Sequence, residues 1–125
     1  MKQIIQTKNA PSAIGPYSQA VLINGTLFTS GQIAINPETS ELELDSLHHE
    51  THLVMANLKA VLASAKMDFS NVVKASIFLK NMNDFAEINE IYASYFESDY
   101  PARETVQVAK LPKDVNVEIS MIAVQ

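Results

Sequence analysis

The stretch from Asp45 to Lys80, DSLHHETHLVMANLKAVLASAKMDFSNVVKASIFLK, decides the fold, because the period of its apolar residues changes partway along. In its first half Val54, Leu58, Val61, Leu62 and Ala65 recur at three and four residues. That spacing predicts a helix with a single apolar stripe, capped at its start by Asp45 or Ser46. In its second half Val73, Ala75, Ile77 and Leu79 alternate with Lys74, Ser76, Phe78 and Lys80, which predicts a strand with one buried face.

Upstream, Ala10-Pro11-Ser12-Ala13-Ile14-Gly15-Pro16 reads as an irregular loop, since two prolines fix φ and Gly15 relaxes it. Ala20-Val21-Leu22-Ile23 and Thr26-Leu27-Phe28-Thr29 flank Asn24-Gly25, the dipeptide that supplies the two positive φ values of a type I′ hairpin turn. A second loop follows at Asn36-Pro37-Glu38-Thr39-Ser40. Downstream, a second helix is expected from Asn83 or Asp84, with Glu87 placed for a capping box and a stripe of Phe85, Ile88, Tyr92, Tyr95 and Phe96. Pro101 forbids its continuation. Two last strands flank Lys110-Leu111-Pro112-Lys113-Asp114, and Val115, Val117, Ile119, Met121 and Ala123 of the final one face one way. The expected order is β-β-β-α-β-α-β-β, an α+β arrangement in which both helices cover one face of a single sheet. The opposite face carries Phe78, Ile122 and Val124, too apolar for a solvated surface, so a homo-oligomer is expected there.

The chain has 125 residues, which suits one domain spanning 1–125, and no cysteine. The absence of cysteine excludes disulfides, zinc–thiolate sites, iron–sulfur clusters and thiol nucleophiles. Fourteen acidic against nine basic residues give a net charge of −5, the wrong sign for gripping phosphates, so no nucleic-acid partner is expected. No run approaches the ~18 apolar residues of a membrane span, and the start of the chain lacks the apolar core of a secretion signal. A cytoplasmic protein with no membrane partner is the expectation.

His48-His49-Glu50-Thr51-His52 is a tempting metal site, but its spacing misses the metalloprotease pattern by one residue, and the histidines are expected to be solvated. Gly15, Gly25 and Gly31 lie too far apart to cradle a pyrophosphate. No serine sits in a nucleophile elbow. What remains is Arg103, Glu118 and Tyr17. Arg103 is the single arginine, and its rigid fork suits a planar carboxylate in a way lysine cannot imitate. Glu118 sits among Val117, Ile119 and Ile122, where a carboxylate is costly without a partner or a task. Tyr17 follows the Gly15-Pro16 kink, from which its hydroxyl can reach a cleft. The plain alternatives are a rim salt bridge for Arg103 and a solvent-facing place on an edge strand for Glu118.

Three stretches resemble the Rid family, the reactive intermediate deaminases also called the YjgF family. They are Ala10-Pro11-Ser12-Ala13-Ile14-Gly15-Pro16-Tyr17-Ser18-Gln19, then Ser30-Gly31-Gln32-Ile33, and then Pro101-Ala102-Arg103 with Val108-Ala109-Lys110-Leu111-Pro112-Lys113-Asp114-Val115 and Val117-Glu118-Ile119. The resemblance implies a chorismate-mutase-like fold, a homotrimer with clefts between subunits, and no metal or organic cofactor. It implies hydrolysis of reactive 2-imino acids and their enamine tautomers, such as 2-aminoacrylate, to 2-keto acids and ammonia. By position, Arg103 would hold the substrate carboxylate and Glu118 would orient or activate the attacking water. Tyr17 would line the site, Ser30, Gly31 and Asn89 would shape the pocket, and Thr105 would contact substrate chiefly through its backbone.

Two positions depart from the pattern. Where deaminating members usually read Arg-Ser-Cys, this chain has Arg103-Glu104-Thr105, so any chemistry here is thiol-free. Glu104 would weaken anion binding if it pointed at the arginine and would matter little if it pointed away. A trimer that senses a small carboxylate or keto acid without turning it over is the alternative reading, and an RNA-cleaving or translation-inhibiting protein is a third that the net charge argues against.

Overall fold

The computed structural model describes residues 1–125 in full. Its elements are β1 (Gln3–Ile5), β2 (Ala20–Ile23), β3 (Thr26–Thr29), α1 (Leu47–Ser64), β4 (Val72–Leu79), α2 (Phe85–Ala93), β5 (Ala102–Gln107) and β6 (Val117–Val124), with short 3₁₀ turns ahead of β4, α2 and β6. The strands form one sheet in the order β1-β2-β3-β6-β4-β5. Only β4 and β5 run parallel; every other neighbouring pair is antiparallel. This is the expected α+β, chorismate-mutase-like arrangement. None of its helices is long and apolar enough to cross a membrane.

Local chemistry explains most elements. Asn24 and Gly25 adopt φ of 49° and 77°, and Ile23 pairs directly with Thr26, so the hairpin turns in two residues. Ser46 rather than Asp45 caps α1, its hydroxyl accepting from the His49 amide at 3.0 Å. The predicted stripe of α1 is buried throughout, and it packs on Ala75, Ile77 and Leu79 of β4 and on Val117, Ile119, Met121 and Ala123 of β6 in one core. Because β6 lies between β3 and β4, its inner face is covered along its whole length.

Three expectations need correction. Val73 does not face the core: the ladder slips between Val72, opposite Ala123, and Lys74, opposite Ile122, so a bulge turns Val72 inward and leaves Val73 exposed. Glu87 forms no capping box at α2. The chain enters that helix through the turn Met82–Asp84, capped by Asn81 accepting from the Asn83 amide, and α2 itself has no side-chain cap. Tyr95 and Phe96 lie beyond the end of α2 and pack on the core from the following turn.

The outer face of the sheet carries apolar side chains that no element of the chain covers. Ile4, Phe28, Val106 and Val124 are 50%, 45%, 41% and 40% exposed, and Phe78 and Ile122 lie half-buried among them.

The cap assignment predicts that Ser46→Ala lowers stability to denaturant by about 1 kcal/mol, while Asp45→Ala costs less than half of that. Equal losses, or a larger one at Asp45, would contradict the cap seen here.

Candidate functional site

Glu118 is the second residue of β6, a central strand, so it does not sit on an edge strand. It pairs with Phe78 and so points to the outer face. The strand is held beside the loop after β3 by two backbone hydrogen bonds, Gln32 N–H to the Ile119 carbonyl at 2.8 Å and Ile119 N–H to the Gln32 carbonyl at 3.1 Å. This pairing presses the Glu118 carboxylate against Gly31. A Cβ on Gly31 would lie 2.5 Å from Glu118 Oε2 and 2.6 Å from its Cδ, so only glycine admits the carboxylate there. Burial pushes the Glu118 carboxyl above its usual value, and no basic side chain pairs with it.

Around that carboxylate lies a cleft of about 510 Å³ with Tyr17, Ser30, Gly31 and Ile33 on its walls and Lys113 at its margin. Polar residues missed by sequence reasoning hold the walls. Buried Gln19 accepts from Thr7 N–H and donates to the carbonyls of Thr7, Ala10 and Pro11, fixing the loop that presents Tyr17. Asn57, within α1, donates to the carbonyls of Ile33 and Ile35. Buried Glu50 accepts from both the backbone and the side-chain nitrogen of Asn116, at 2.8 and 2.7 Å, and so anchors the entry to β6. The Ser30 hydroxyl donates to the Ser18 carbonyl and ties the two loops together.

Arg103 lies elsewhere. Opposite Ala75 in the ladder, its side chain projects to the helix face of the sheet, where it donates to Asn89 Oδ1 of α2. Its guanidinium carbon lies 5.5 Å from the ring centre of Phe85 and 5.3 Å from that of Tyr92. A second cleft, of about 490 Å³, opens beside Arg103, Asn89 and Tyr100. The two clefts share no residue. The structure therefore brings Tyr17, Ser30, Gly31 and Glu118 together, brings Arg103 and Asn89 together, and sets the two groups on opposite faces of the sheet.

Thr105 lines neither cleft, and its hydroxyl is buried without a hydrogen-bond partner. Its backbone is differently placed. Val108 N–H donates to the Leu79 carbonyl, so the even-numbered residues of β5 bond to β4 and the amides of Arg103 and Thr105 face the open edge of the sheet. Glu104 points away from Arg103, to the other face, where it meets Lys74 at 3.3 Å and Ser76 at 3.2 Å.

The histidines divide. His48 and His49 are exposed, and His49 pairs with Glu43 at 2.6 Å. His52 departs from the solvated expectation: it is half-buried and hydrogen-bonded to the Tyr95 hydroxyl at 2.6 Å. Burial, with His48 and His49 nearby, holds it below the usual histidine range. No group of three or more His, Asp or Glu side chains is arranged to hold a metal.

Glu118 predicts a stability signature. A carboxyl raised in the fold stabilises the folded state below the ordinary carboxylate range, and that contribution is lost as pH rises through the folded value. Glu118→Gln is therefore expected to be more stable than the natural chain at pH 7, with the difference vanishing near pH 4 in denaturant titrations. A less stable Glu118→Gln at pH 7 would contradict the unpaired, half-buried carboxylate.

Comparison with known proteins places the chain in context. The profile of the family described as Endoribonuclease L-PSP matches residues 7–125. The 2-iminobutanoate/2-iminopropanoate deaminase of Bos taurus is 46% identical over 125 residues, covering 100% of this chain and 91% of that protein. A Rid-family protein of Yersinia pestis superposes with a TM-score of 0.97 at 48% identity over 100% of both chains. Escherichia coli TdcF, solved with bound serine, superposes with a TM-score of 0.94 at 43% identity over 98% of each chain.

Proposed function

We propose a reaction for this chain from one premise: it belongs to the Rid (YjgF) family, the family described as Endoribonuclease L-PSP. The reaction is hydrolytic deamination of reactive 2-imino acids and their enamine tautomers, such as 2-aminoacrylate, to 2-keto acids and ammonia. The observation that carries it is the pair of half-sites: an unpaired carboxylate with a raised pKa in one cleft, and an oriented guanidinium at the edge of the sheet.

Neither half suffices for the reaction. A 2-imino acid needs its carboxylate held and one water delivered to the imine carbon. Arg103 supplies the first, with two parallel hydrogen bonds to the carboxylate and the Thr105 amide beside it on the open edge. Glu118 supplies the second. It takes a proton from water as the oxygen bonds to the imine carbon and the C=N π electrons pass to nitrogen. It returns that proton to nitrogen, giving a carbinolamine, and then carries the carbinolamine's hydroxyl proton to the amino group as the C=O bond forms, the C–N bond breaks and ammonia leaves the keto acid behind. A carboxyl raised above its usual value suits this exchange better than a fully solvated one. Tyr17, Ser30 and Gly31 shape the wall on the water side, and Asn89 fixes the arginine.

Opposite faces of one sheet cannot present these groups to a single substrate. The reading therefore needs a homotrimer in which Arg103 of one subunit meets Glu118 of the next. The uncovered apolar face provides the contact surface for such an assembly. The proposal needs no metal or organic cofactor. The bovine deaminase's name supports turnover over mere sensing of a keto acid, and the net charge of −5 weighs against an RNA substrate.

The test generates 2-aminoacrylate, or the imine derived from threonine, in situ with a dehydratase and follows keto-acid release. The natural chain is expected to accelerate release. Arg103→Ala is expected to lose about 10²-fold in kcat/KM, the worth of two charge-assisted hydrogen bonds at about 1.5 kcal/mol each. Arg103→Lys should recover little of it, and Glu118→Gln should lose about 10²-fold or more in kcat. No acceleration by the natural chain at any concentration would overturn the enzyme reading. Equal rates for the natural chain and Arg103→Ala would remove the clamp.

A further inference from the structure

Phe85, Asn89 and Tyr92 stand at positions i, i+4 and i+7 of α2, so they share one face of the helix, and that face looks onto Arg103 of β5. The sequence pattern assigns Phe85 and Tyr92 to the core stripe, and they do pack there. Yet both ring centres also lie within 5.5 Å of the guanidinium carbon, at 5.5 and 5.3 Å, while Asn89 takes one of its N–H groups. An exposed arginine ordinarily samples many rotamers, and fixing one in place costs side-chain entropy. Here two ring quadrupoles and one acceptor bear on the same cation and offset that cost.

We propose that Phe85 and Tyr92 are positioning residues for the carboxylate clamp. Their rings and the Asn89 side chain hold the Arg103 guanidinium from the α2 side, so that its remaining N–H groups are offered to a ligand. A cation held in this way selects planar carboxylates that approach those groups. A lysine at position 103 would keep a cation–π contact but lose the planar fork that grips both carboxylate oxygens. This inference rests on the carboxylate reading above for what the clamp holds, but not for how the clamp is held.

Tyr92 itself shows which of its atoms matter. The residue is 3% exposed, its hydroxyl has no hydrogen-bond partner, and burial pushes its pKa up to about 12. A neutral, unpartnered hydroxyl contributes nothing to holding Arg103, so the ring carries the role. Phe85, half-buried, is the safer of the two positions to alter.

Because Arg103 is the single arginine, its side-chain Nε–H gives one resolvable NMR signal in the assembled protein, whatever the protein does. The natural chain is expected to show a sharp signal, with the side-chain protons moved upfield by the two rings. Phe85→Leu and Tyr92→Leu should broaden it, abolish the upfield shift, and weaken binding of 2-ketobutyrate about five-fold. The same variants should raise KM for the imine by a similar factor, with kcat within about two-fold of the natural value, as loss of uniform binding requires. Tyr92→Phe, which keeps the ring, should retain both the signal and the affinity. A merely structural role predicts lower stability for the leucine variants with an unchanged Arg103 signal and unchanged affinity, and that result would overturn the proposal. If the signal responds as described while the natural chain neither binds 2-ketobutyrate nor turns over imine, the stacking stands and the carboxylate reading falls.

Discussion

Two backbone hydrogen bonds between Gln32 and Ile119 set the distance on which the rest of the site depends. They lash the loop after β3 to the start of β6, and they do so close enough that a methyl group on Gly31 would overlap the Glu118 carboxylate. The approach removes water from one side of that carboxylate, which raises its pKa, and it turns the opposite side toward a cleft. Gln19, Asn57 and Glu50 hold the surrounding segments through hydrogen bonds to backbone. A half-buried, unpaired carboxylate is costly for a small protein to keep, and this network is what keeps it in place.

The sheet then imposes a division of labour. Its helix face is filled by the core and, at the β5 edge, by Arg103 against α2. Its other face is left to Glu118 and to apolar side chains with nothing over them. The same alternation that buries Ile77 and Ile119 puts the cation and the carboxylate on opposite sides. In the proposed trimer a neighbouring subunit covers the apolar face and carries its own β5 edge to Glu118, so assembly and the completed site are one event.

The element order was legible in the sequence because each element carries a local signal: the change of period between α1 and β4, the Asn24-Gly25 turn, and the alternation from Val115 to Ala123. The bulge at Val73 was not, because the slip is set by the register with β6 and Val72 and Val73 are chemically identical. The cap of α2 was misplaced because Asn81 acts on a 3₁₀ turn that no apolar period announces. Arg103 and Glu118 stood out as a lone fork and a carboxylate in an apolar run. Their separation did not, since it follows from strand order, which only long-range pairing decides. Asn57 offered a signal that went unread: a polar residue beside Val54 and Leu58 on an otherwise apolar stripe. Phe85 and Tyr92 offered none, for a ring that packs in a core and a ring that stacks on a guanidinium look alike in a stripe of apolar residues.

The central claim is that the guanidinium and the carboxylate of one working site come from different subunits. Mixing Arg103→Ala chains with Glu118→Gln chains, then dissociating and reassembling them, tests it directly. Each variant alone should be inactive. In equal random mixture about a quarter of the clefts would pair an intact Arg103 with an intact Glu118, so about a quarter of the natural deaminase activity should return. Mixed assemblies that form but stay inactive would contradict the account.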